Sequence, residues 1–123
     1  MMDLDLKGKR AVVTGASLGI GEAVVKMLAE YGADVSFCAR NPEAVDTLSS
    51  FESANGLIKG FVADMGNKES TDSFIGSVQE DGPVDILVNN VGASPSRKFL
   101  YMTDDDWQEL HELNLLSAVR CTR

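Results

Sequence analysis

The chain has 123 residues, room for one domain that buries roughly two-thirds of the surface its unfolded form exposes, enough for a real core. Hydrophobic residues at 44% and charged residues at 24% exclude disordered, collagenous and disulfide-scaffold classes. Nineteen acidic against eleven basic residues leave a formal charge of -8, which repels nucleic acid and anionic membrane surfaces at long range, so an anionic ligand has to be held by local features.

Taken in chain order, the N-terminus carries Asp3 and Asp5 where a signal peptide needs bases, and no run approaches about 18 apolar residues. A cytoplasmic protein with no membrane or nucleic-acid partner is expected. Ala11-Val12-Val13 reads as a first buried strand. Ile20, Val24 and Leu28, with Val25 and Ala29 alongside, predict a helix with one apolar face, and Gly32 a cap at its end. Val35-Ser36-Phe37-Cys38 is the second strand, and Asn41-Pro42-Glu43 opens the next helix with a cap, a proline at its first position and an acid in its first turn, Gly56 following its end. Ile58 with Phe61-Val62 forms a third strand, a helix runs from near Asn67 to before Gly82-Pro83, and Ile86-Leu87-Val88 is the fourth strand. After a loop around Gly92 to Met102, Thr103 caps a last helix whose first turn holds Asp104, Asp105 and Asp106, and the chain ends inside it. Strand alternating with helix predicts right-handed βαβ units, hence an α/β fold with a parallel sheet covered on both faces and strands apolar on every residue. With no repeat or linker, residues 1–123 are expected to form one domain.

The first strand runs into Thr14-Gly15-Ala16-Ser17-Leu18-Gly19-Ile20-Gly21. Glycines here let the backbone turn and come close to a ligand, and the helix N-terminus offers unpaired N–H groups to a pyrophosphate. The spacing Gly-x-x-x-Gly-x-Gly departs from the common Gly-x-Gly-x-x-Gly and resembles the cofactor loop of the short-chain dehydrogenase/reductase family. Further stations match in order: Arg40 ending the second strand, Asp64-Met65 after the third, Asn89-Asn90-Val91-Gly92 after the fourth, and Asp106-Trp107 leading to Asn114-Leu115. The resemblance covers nearly the whole chain and implies a Rossmann-like doubly wound parallel sheet truncated to four strands in the order 3-2-1-4.

It also implies roles. Gly15, Ser17, Leu18, Gly19, Ile20 and Gly21 form the cofactor loop, its glycines lining the pyrophosphate. Asp64 bonds the adenine amino group beside the backbone of Met65, Asn90 and Gly92 flank the adenosine ribose, and Asn89 braces the sheet. Val91 stands where the family usually has alanine. Asn114 belongs to the catalytic set, its main chain holding a water of the proton relay. Arg40, about twenty residues beyond Gly21, stands where an NAD-binding member carries an acid, so NADP is expected rather than NAD, although Leu18 leaves the loop without a second basic residue. Substitution of Gly19 or Gly21 is expected to remove nucleotide binding while harming the fold less than substitution of Val12 or Leu87.

The family's chemistry needs a serine on a fifth strand and a Tyr-x-x-x-Lys pair. Four residues beyond Tyr31 stands Val35, and four beyond Tyr101 stands Asp105, so this chain alone is expected to be inactive. The domain reads as incomplete at its C-terminus and the chain as a fragment. Two readings stay open: the cofactor half of an NADP-dependent oxidoreductase acting on a small carbonyl or alcohol, or a nucleotide-binding module that catalyses nothing. A homo-oligomer, or pairing with a missing C-terminal segment, is expected to cover the open edge of the sheet. His111 reads as a solvated surface residue, Arg97 and Lys98 as exposed loop charges, Asp104 to Asp106 as capping rather than metal-binding, and Cys38 and Cys121 as small apolar residues.

Overall fold

A computed structural model describes residues 4–16, 18–93 and 98–123. Strands β1 (Arg10–Thr14), β2 (Asp34–Ala39), β3 (Ile58–Val62) and β4 (Ile86–Val88) form one parallel sheet in the order β3-β2-β1-β4. Helices α1 (Gly19–Glu30), α2 (Pro42–Ser49) and α3 (Lys68–Glu80) connect them. After β4 come a 3-10 turn (Phe99–Tyr101), α4 (Asp104–His111), a π turn (Glu112–Leu116) and α5 (Ser117–Thr122).

Alternation along the strands divides the core in two. Ala11, Val13, Val35 and Phe37 face one side, where Val25 and Ala29 of α1 and Val45 and Leu48 of α2 cover them. Val12 and Cys38 face the other, against Phe74 and Val78 of α3 with Leu113 and Cys121 packed alongside. The sheet is thus covered on both faces, as the alternation of elements implies. Only β1 and β2 are buried along most of their length. At the two edges β3 and β4 are half-buried, with Lys59 and Val62 exposed, because an edge strand has a neighbour on one side alone.

Three of the four long helices start as the sequence predicts. Asn41 Oδ1 accepts from the backbone N–H of Glu43 at 2.9 Å, Asn67 Oδ1 accepts from Ser70 N–H at 2.9 Å, and Thr103 and Asp106 close a capping box. Gly32 follows α1 at φ +107, the left-handed geometry that ends helices. The apolar stripe of α1 is rotated from the expected one. Ile20 is exposed, and the ridge facing the sheet is Gly21, Val25 and Ala29, with Val24 and Leu28 flanking it. Glycine opens the ridge because α1 starts tight against the loop that follows β1: a Cβ at Gly21 would stand 2.6 Å from Gly15 O and 2.8 Å from Ala16 Cα. The last helix, expected to be continuous, is interrupted by its π turn.

Candidate nucleotide-binding site

Because all four strands run the same way, their C-terminal ends and the loops that follow them converge at one end of the sheet. A cleft of about 330 Å³ opens there, lined by Gly15 and Leu18 after β1, Arg40 and Asn41 after β2, Ala63 and Met65 after β3, and Val91, Gly92 and Ala93 after β4. Of the residues singled out by sequence, it gathers Gly15, Leu18, Arg40, Met65, Asn90 and Gly92. Ser17 and Arg97 lie outside the described residues. Ala39, Ala63, Ala93 and Leu113 also line the cleft; their side chains carry no chemistry by which a sequence could mark them.

The glycine loop is built from unlike parts. Gly15 has φ +65, and a Cβ on it would meet Val91 Cγ2 at 3.0 Å. Gly19 has φ +60, and a Cβ on it would meet no atom within 4 Å among the described residues. Gly21 is buried, and a Cβ there would also strike Asn90 Nδ2. Asn90 clamps the loop: its backbone N–H donates to Thr14 Oγ1 at 3.2 Å and its amide donates to Gly15 O at 3.0 Å. Above the loop α1 begins at Leu18, whose side chain caps nothing. Its N-cap, unlike those of α2, α3 and α4, supplies no side-chain acceptor among the described residues, an arrangement suited to an anion.

Arg40 is exposed and makes no hydrogen bond or ion pair among the described residues, so its guanidinium is available at the mouth of the cleft. Asp64 is held next to it in a neighbouring hollow rather than in the cleft proper. One of its carboxylate oxygens accepts from Gly66 N–H at 2.9 Å, and its own N–H donates to Ser70 Oγ at 2.8 Å. Cys38 is buried at the floor of the cleft. Burial pushes its thiol up to about 12, partly offset by a backbone hydrogen bond with Gly15, so it is a neutral wall and not a nucleophile. Burial raises Cys121 as well.

Asn114 stands in the middle of the π turn and grips the β4 loop from behind, accepting from Ala93 N–H at 2.7 Å and donating to Ala93 O at 3.0 Å. Asn89 donates to Thr122 Oγ1 at 3.1 Å, tying the end of β4 to α5. His111 and Lys98 are exposed. Among the described residues no group of three or more His, Cys, Asp or Glu side chains is arranged to hold a metal ion, and no helix is long and apolar enough to cross a membrane.

Residues 9–123, from the start of β1 through the π turn and α5, match the profile of the short chain dehydrogenases. The chain belongs to the short-chain dehydrogenase/reductase family. It is 39% identical over 122 residues to the uncharacterized oxidoreductase YvrD of Bacillus subtilis, covering 99% of this chain and 46% of that protein. It is 36% identical to the 3-oxoacyl-(acyl-carrier-protein) reductase FabG of Vibrio cholerae, covering 98% of this chain and 49% of that one. Among solved structures, the L-sorbose reductase of Gluconobacter frateurii complexed with NADPH and L-sorbose superposes with a TM-score of 0.89 at 32% identity, over 99% of this chain and 48% of the other. An NADH-dependent reductase complexed with NAD superposes at 0.83 with 30% identity, over 98% of this chain and 52% of the other. This short-chain dehydrogenase/reductase chain thus spans about half the length of the relatives it matches.

Proposed function

We propose that the chain is the cofactor-binding half of an NADP-dependent oxidoreductase that moves hydride between nicotinamide and a carbonyl or alcohol. The observation that carries this reading is Arg40: exposed, unpaired among the described residues, and on the rim of the cleft that the glycine loop also lines. A guanidinium there pairs with a ribose 2'-phosphate, whereas an acid would repel it. The open space at Gly19 and the start of α1, where Leu18 supplies no cap, suit the pyrophosphate, and Gly15, Ser17, Leu18 and Ile20 complete that loop. Asp64 and Met65 serve the adenine, and Gly92 the ribose, while Asn90 acts there by holding the loop in shape. Nicotinamide, when bound, supplies or accepts the hydride. Asn114, seated on Ala93, holds the wall of the cleft and would offer its main chain to a water of the proton relay. NADPH in the L-sorbose reductase structure and NADP in the Pseudomonas aeruginosa RhlG structure support the choice of cofactor class.

Titration of NADPH and NADH against the wild type and Arg40→Asp tests the reading. A charge-assisted contact of about 1.5 to 3 kcal/mol gives a preference for NADPH of roughly tenfold to a hundredfold, lost in the variant. Equal affinities in the wild type would overturn it. A second reading, a nucleotide-binding module without catalysis, is favoured by one fact: within these 123 residues neither Tyr31 nor Tyr101 has a lysine four positions on.

A further inference from the structure

The π turn changes the backbone pairing of the last helix and is spanned by two side-chain contacts, of which the hydroxyl bond is also made in regular α-helix and the ion pair needs the altered register. In an α-helix the backbone N–H of Ser117 would donate to Leu113 O; here it donates to Glu112 O, one residue further back. The Leu113 carbonyl is thereby released, and the Ser117 hydroxyl takes it. Ser117 is 3% exposed, so water is a poor substitute for that hydroxyl. A second contact spans the turn: Arg120 Nη1 lies 2.8 Å from Glu112 Oε2, with the two side chains 12% and 28% exposed. The pair is close enough for charge attraction but off the line a hydrogen bond needs, and that nitrogen has no hydrogen-bond partner among the described residues. Residues seven apart on an α-helix fall on nearly one face, about 20° from alignment. The extra residue in the turn gives that alignment to Glu112 and Arg120, eight apart. In uninterrupted α register they would diverge, and Asn114 would rotate off Ala93.

We propose that Ser117, Glu112 and Arg120 are positioning residues: they hold the π register that seats Asn114 on Ala93 and so fix the Val91–Ala93 wall of the cleft. Asn114 Oδ1 would lie only 3.1 Å from a Cβ at Gly92, so wall and turn fit closely and a shift of one moves the other. That the wall serves a nucleotide rests on the functional reading above; that the turn holds it does not.

The test is amide hydrogen exchange at Ala93 in the nucleotide-free chain, with Val12 and Phe37 as reporters of global stability, followed by NADPH titration. Ser117→Ala leaves the Leu113 carbonyl unpaired in the π register and is expected to speed Ala93 exchange about tenfold without a matching change in the core. Arg120→Met is expected to act in the same direction, and Ser117→Thr, which keeps the hydroxyl, to retain slow exchange. Unchanged Ala93 exchange in folded Ser117→Ala and Arg120→Met overturns the proposal, as does Ser117→Thr behaving like Ser117→Ala while its core stays protected. If Ser117→Ala unfolds outright, Arg120→Met decides alone. Faster Ala93 exchange in a chain that binds neither NADPH nor NADH would support the role of the turn and refute the nucleotide reading.

Discussion

Two glycines of one loop have opposite structural duties, and substitution separates them. At Gly19 a new Cβ meets no atom within 4 Å among the described residues, so the main cost of Gly19→Val is the strain of a left-handed residue, about 1–3 kcal/mol. The variant should fold and lose nucleotide. At Gly21 the side chain runs into the backbone of Gly15 and Ala16, so Gly21→Val should lower Tm well beyond the Gly19 variant. Thermal melts with NADPH titrations check it, and equal loss of Tm in the two variants would contradict the division of roles. Cys38 gives a pH prediction at the same scale. Its folded thiol value, about 12, lies above the ordinary 9.0, so across that interval the unfolded chain binds fewer protons than the folded one. Its contribution is intact below about 9 and is lost as pH rises towards 12. Denaturant titrations of wild type and Cys38→Ala, below and above the ordinary thiol value, should show the wild type losing more stability. A parallel decline would exclude Cys38 as the cause.

Among the elements, α1 starts differently from the other long helices. The other long helices spend a side chain on their first N–H groups, and removing one, as in Asn41→Ala, should cost about 1 kcal/mol by denaturant unfolding. Leu18 leaves those groups of α1 open. Leu18→Asp should therefore stabilise the free chain by several tenths of a kcal/mol or more through capping and the helix dipole, while weakening NADPH through a fixed negative charge where phosphate is expected. A gain in stability with undiminished NADPH affinity would show that the helix start is not the anion site. In the sheet, Phe37 on β2 is fully buried, and Phe37→Ala should cost about 3–5 kcal/mol, enough to unfold a marginal domain.

For the whole molecule, the decisive feature is the free side of β4, which pairs with β1 on one side and with no strand on the other among the described residues. An apolar strand with unpaired backbone groups recruits another strand. The chain alone is expected to associate or aggregate, visible as a solution mass above that of one copy. It is also expected to turn over no carbonyl compound with NADPH above background, since neither Tyr31 nor Tyr101 has a lysine four positions on and a general acid alone is worth about a hundredfold to ten-thousandfold. A stable monomer with turnover would refute both expectations.

The order of strands, the caps at Asn41 and Thr103, the helix start near Asn67, and the gathering of Gly15, Arg40, Met65, Asn90 and Gly92 at one end of the sheet were legible in the residues. Caps and glycine turns depend on groups a few positions apart, and parallel strands necessarily bring their following loops together. Tertiary structure alone decided which face of α1 is buried, because the close approach of the helix to the loop after β1, and not periodicity, selects Gly21 over Ile20 for the inner ridge. It decided that β3 and β4 are half-exposed edges, since edge position belongs to the sheet and not to the strand. It also placed Asn114 on Ala93, 21 residues away, and broke the last helix there. An unusual register one residue wide, held by one hydroxyl and one ion pair, leaves little trace in a pattern of apolar and polar residues.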